Sequence, residues 1–137
     1  MDMNNETTLI FVCSFGELLV MRGSLLESGE LLFGKEPDVW VSAILMTNEQ
    51  RSELLFFLKR ISSSEDESES IPVSLPLEKW KGILRAVRLV SDRQNDVWDE
   101  LDSRTGCAVD EFDAFAERLS AALMSIETPA TTVEKST

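Results

Sequence analysis

Residues 8–46 read TLIFVCSFGELLVMRGSLLESGELLFGKEPDVWVSAILM, and the period assigned to this stretch decides the fold. Its apolar segments TLIFVCSF, ELLVMRGSLLES, ELLFG and DVWVSAILM are short and are punctuated by Gly16, Gly23, Gly29, Gly34 and Pro37. Short apolar runs bounded by glycine and proline are a strand signal, because those residues supply the turns between strands. Ser28-Gly29 then reads as a hairpin tip and GKEPD as a longer turn. The economical arrangement is an antiparallel meander of three to four strands.

The period changes at Thr47. TNEQ matches a capping box, a hydroxyl followed three residues later by Gln50, and Leu54, Leu55, Leu58 and Ile61 then recur at helical spacing. The helix ends at SSSEDESES, residues 62–70, which has no apolar residue to bury and reads as a mobile acidic loop. Pro72 and Pro76 frame the entry to a second helical segment, where Leu77, Trp80, Leu84, Val87 and Val90 share a face. A break is expected near Ser91, where a second capping box begins. Gly106 stops the run, and Val109, Phe112, Ala116, Leu119, Leu123 and Ile126 form an amphipathic last helix.

The expected fold class is therefore α+β: an N-terminal antiparallel β-meander of three to four strands followed by three to four α-helices packed on one face. Residues 8–126 are expected to form a single domain, with disordered segments at 1–7 and 127–137.

Composition excludes several chemistries. The chain of 137 residues has no histidine, which removes the usual general base near neutral pH and the commonest metal ligand. Cys13 and Cys107 lie far apart without a CxxC companion, so both read as reduced, buried thiols. The formal net charge of −12 argues against direct contact with nucleic acid or an anionic membrane surface, both of which attract basic footprints. No secretory or membrane address is visible, and a cytoplasmic location follows by default.

Charge is concentrated late in the chain. Residues 92–117 carry nine carboxylates against two arginines. At about 100° per residue, Asp96, Asp99 and Glu100 point roughly opposite to the stripe holding Trp80, Trp98 and Leu101. Asp110, Asp113 and Glu117 likewise point away from Phe112, Phe115 and Leu119. These six acids are the candidate partner-binding residues, suited to lysines and arginines on a basic protein, and net charge of this size speeds that encounter.

The leading functional reading is a small cytoplasmic protein-binding module that neutralises or escorts a basic partner, such as a nucleic-acid-binding protein or a nuclease toxin. Immunity proteins of nuclease toxins and acidic secretion chaperones share this size and charge class, although no motif connects them to the chain. The alternative is a divalent-metal phosphohydrolase using Asp99, Asp102, Asp110 and Asp113. The Asp-x-x-Asp spacing of those pairs is similar to the acidic pairs of the all-α nucleotide pyrophosphatases, and the similarity covers only those positions. A third reading is a structural subunit that assembles through its sheet edge. The leading reading is not an enzyme, and it assigns no catalytic residue, no cofactor and no metal ligand.

Overall fold

Thr8–Cys13 forms strand β1, and Phe15–Leu31, which the sequence divides into strands and turns, is one continuous helix, α1. The computed structural model describes residues 7–63, 70–92 and 100–127. Helices α2 (Pro37–Ile44) and α3 (Asn48–Ser63) follow, then strand β2 (Ile71–Pro76), helix α4 (Leu77–Val90), the short α5 (Leu101–Thr105) and α6 (Val109–Glu127). The expected meander of three to four strands is overturned: the described residues hold two strands and six helices, and the chain is mostly helical.

The physical reason lies in where α1 sits. Ser14 starts it with a full capping box, in which the Ser14 hydroxyl accepts from the Glu17 N–H at 3.1 Å and the Glu17 carboxylate accepts from the Ser14 N–H at 3.0 Å. Beyond the cap, Leu18, Val20, Met21, Ser24, Leu25, Glu27 and Ser28 are all buried. Helices α3, α4, α5 and α6 all pack against α1. A helix enclosed on most sides carries no polar stripe, so its sequence shows no clear 3.6-residue period. The glycines read as turns are points of close approach. A Cβ on Gly23 would lie 2.8 Å from the Thr105 methyl of α5, and one on Gly29 would lie 2.7 Å from the Arg51 guanidinium carbon of α3. Ser28-Gly29, expected as a hairpin tip, is inside the helix.

Other boundaries follow local chemistry. Pro37 opens α2, and Leu45 closes it in the left-handed region at φ 60°. The Thr47/Gln50 box caps α3 with bonds of 3.1 and 2.9 Å. Helix α3 runs through Ser63, so Ser62, assigned by sequence to the acidic loop, is a buried residue that donates to Leu58 O. Residues 64–69 of that loop, the segments 1–6 and 128–137, and Trp98 lie outside the described residues. Helix α4 ends at Val90 with Ser91 as its cap, at the expected break.

The two strands pair antiparallel, with Ile10 opposite Ser74 and Val12 opposite Pro72. Phe11, Cys13, Ile71, Val73 and Leu75 alternate inward and cover the helices, while Ile10, Val12, Pro72 and Ser74 face outward. Beneath the ribbon, Phe11 meets Trp80 and Phe115 edge to face at centroid distances of 5.4 and 6.0 Å. The Trp80 indole N–H donates to Leu9 O at 2.9 Å, which satisfies the one polar atom of a fully buried side chain. Trp40 is also buried, but on a helix where a strand was expected. Among the described residues, no helix is long and apolar enough to cross a membrane.

Candidate functional site

The connection from α5 to α6 fixes how the late acids are presented. Thr105 donates its hydroxyl to Leu101 O at 2.7 Å and accepts from the Cys107 N–H at 3.2 Å. Gly106 reverses the chain in the left-handed region at φ 81°. The Glu111 carboxylate reaches back to the Ala108 N–H at 2.9 Å, so this acid caps the new helix. Phe112, Phe115, Ala116, Leu119 and Leu123 then turn inward, and Asp110, Asp113 and Glu117 turn outward and are exposed. The three acids lie at a three- and then four-residue spacing, which places them along one side of α6 over about 10 Å.

The basic residues near these acids are engaged elsewhere. Arg118, the sole cation of α6, forms a two-pronged pair with Glu17 of α1 at 2.8 and 2.7 Å, donates to Val12 O at 2.7 Å, and lies 4.2 Å from the Phe11 ring centre. Its hydrogen bond to Glu17 raises its pKa further above the ordinary guanidinium value. Arg104 of α5 pairs with the buried Glu27 of α1 at 2.8 Å and also approaches Glu30 and Glu100 at 3.8 and 3.4 Å. The hydrogen bond to Glu27 is the main cause of its raised pKa. Both arginines are thus turned toward α1, and Asp110, Asp113 and Glu117 have no ion-pair partner among the described residues.

Of the six predicted contact acids, Asp110, Asp113 and Glu117 share this exposed stripe. Glu100 is exposed but partly paired with Arg104, so it belongs to a different cluster. Asp96 and Asp99 lie outside the described residues. For the alternative reading, Asp102, Asp110 and Asp113 are each exposed, and no group of three or more acids or cysteines able to hold a metal ion forms among the described residues. Sequence reasoning missed the ion pairs of Arg104 and Arg118, and no local signal announces them, because the partners are 77 and 101 residues apart.

The larger clefts lie away from this stripe. One of about 580 Å³ is lined by Phe33, Lys35, Pro37, Trp40, Asn48 and Glu49, and one of about 450 Å³ by Leu26, Gly29, Glu30, Phe33 and Arg51. Arg51 is held there by Leu25 O and Asn48, and burial lowers its pKa. The two cysteines are free and buried. Burial, then the Glu17 charge, push the Cys13 thiol up to about 12 against the opposing pull of Arg118, and burial also raises Cys107. Neither thiol is poised as a nucleophile. Comparison with protein-family models, with curated proteins and with solved structures returned no match.

Proposed function

We propose that this chain is a small acidic cytoplasmic module that binds a basic protein, neutralising or escorting it, through the outward carboxylates of α6. The observation that carries the reading is the pairing pattern: Arg104 and Arg118 are committed to Glu27 and Glu17, which leaves Asp110, Asp113 and Glu117 exposed and without a cationic partner among the described residues. Like charges aligned at three- and four-residue spacing repel, by about 0.2–0.5 kcal/mol per pair on an exposed helix. A basic partner removes that repulsion and gains from the long-range attraction of a chain at −12. Asp110 and Glu111 also favour the N-terminus of α6 electrostatically, whereas Asp113 and Glu117 lie beyond its first turn.

The test is affinity capture from native lysate at low salt with the immobilised chain and with Asp110→Asn/Asp113→Asn/Glu117→Gln. Basic proteins should be retained by the wild type, released as salt rises, and lost from the folded variant. Retention of the same proteins by the variant would refute the assignment.

A further inference from the structure

We propose that the groove along α1 and α3 binds an amphipathic helical segment of a partner protein, one whose apolar stripe is flanked by acidic residues. Three clefts lie in succession there, of about 160, 450 and 580 Å³. Leu26 lines the first two and Phe33 the last two, so they join end to end. Leu19, Leu26 and Phe33 recur every seven residues, two helical turns apart, which sets them in a row down one side of α1 and the turn after it over roughly 20 Å. Leu26 and Phe33 are 46% and 85% exposed. A helix side left open to water is ordinarily polar, and an apolar row at this spacing is what a second helix packs along.

The charge of the lining identifies the occupant. The chain as a whole stands at −12, yet five cations line the three clefts, Arg22, Lys35, Arg51, Lys59 and Arg104, against two acids among the described residues, Glu30 and Glu49. Cations still outnumber acids when Glu27 and Glu100, which pair with Arg104, are included. Two of the guanidiniums have neutral partners. Arg22 donates to Ser62 Oγ at 3.0 Å. Arg51 donates to Leu25 O at 3.0 Å and to Asn48 Oδ1 at 3.0 and 2.8 Å, and lies 5.7 Å from the Trp40 ring centre. Neither has a carboxylate partner among the described residues. Gly29 makes this arrangement possible, because the absence of a Cβ lets the Arg51 guanidinium lie against α1.

A groove that is apolar along its length and cationic at its sides, on a molecule that otherwise repels anions, selects for an acidic amphipathic helix over a basic one. The site is separate from the α6 stripe, which has the opposite charge and takes the opposite class of partner.

The probe is a synthetic fluorescein-labelled peptide of about four helical turns, with leucine at i, i+3, i+7, i+10 and i+14 and glutamate at the flanking positions. Controls are its scrambled form and a form with lysine in place of glutamate. By fluorescence anisotropy the glutamate peptide should bind the full chain at least tenfold more tightly than the scrambled one, and binding should weaken as salt rises. Leu26→Ser/Phe33→Ser, at two exposed positions, should weaken it at least tenfold without lowering Tm, and Arg22→Gln/Lys35→Gln should flatten the salt dependence. Amide shift mapping on the wild type needs no variant: the glutamate peptide should perturb residues 19–35 and 48–59 and leave 109–118 unchanged, while the lysine peptide should do the reverse. Absence of binding by the glutamate peptide, equal affinity in Leu26→Ser/Phe33→Ser, or shifts centred elsewhere would overturn the proposal. So would decanoate binding in the groove where the peptide does not, since that would make it a site for a fatty acid.

Discussion

Replacing Gly82 with alanine should destabilise the protein, although the same change in an ordinary helix interior gains about 1 kcal/mol. Gly82 lies on α4 where α2 ends against it. An added Cβ would sit 2.6 Å from Ile44 O and 2.5 Å from the Met46 methyl. The methyl can rotate, but the carbonyl belongs to the backbone of α2 and has to move by about 0.8 Å to reach an ordinary contact of about 3.4 Å. Overpacking a filled core costs about 1–3 kcal/mol, and a backbone obstacle puts this site in the upper part of that range. After the helix gain is subtracted, the net loss is about 1–2 kcal/mol, or a fall of roughly 3–7 °C in Tm at this chain length. Gly16→Ala is the matched control, since its new Cβ meets nothing nearer than the Ser14 hydroxyl at 3.9 Å. That variant should gain up to about 1 kcal/mol. Thermal melts of the two variants beside the wild type make the comparison. A Gly82→Ala protein that melts at or above the wild type would show that α2 does not seat its last carbonyl on α4.

Arg118→Met keeps an apolar stem near Phe11 but removes the bonds to Glu17 and Val12 O, and should cost about 1–2 kcal/mol in urea unfolding because the site is half exposed; Arg118→Lys should not restore the two-pronged pair. Ser24→Ala should be stabilising by up to about 1 kcal/mol in the same assay, since the Ser24 hydroxyl is buried without a hydrogen-bond partner among the described residues. Cys13, whose folded pKa is raised from 9.0 to about 12, adds stability that is complete below pH 9 and is lost as pH climbs toward 12. Alkaline unfolding curves should therefore be flatter over that window for Cys13→Val, and a thiol reagent at pH 8 should label neither cysteine until the chain unfolds.

The parts of the fold legible in sequence are those with one wet side. Helices α3 and α6 show their period because Glu53, Lys59, Asp113 and Glu117 are exposed opposite Leu54, Leu58, Phe112 and Leu119. Helix α1 hides its period because almost every side is covered, although SFGE at residues 14–17 has the same serine-to-glutamate spacing as a capping box and marks its start. Strand β2 was obscured by Pro72 and Pro76, which break a central strand but are tolerated at outward positions of a ribbon edge. At the candidate site, the outward direction of Asp110, Asp113 and Glu117 follows from helical geometry alone. Which acids remain unpaired does not follow, because that depends on α1 bringing Glu17 and Glu27 to arginines far along the chain.

The central claim is that the α6 stripe is where a cationic partner docks. Nuclear magnetic resonance titration of the isotope-labelled chain with oligolysine, following every backbone amide, tests it most directly. The shift changes should concentrate on residues 109–118 and should fade in Asp110→Asn/Asp113→Asn/Glu117→Gln. Changes spread evenly over the acidic surface, or centred elsewhere and unaltered in the variant, would contradict it.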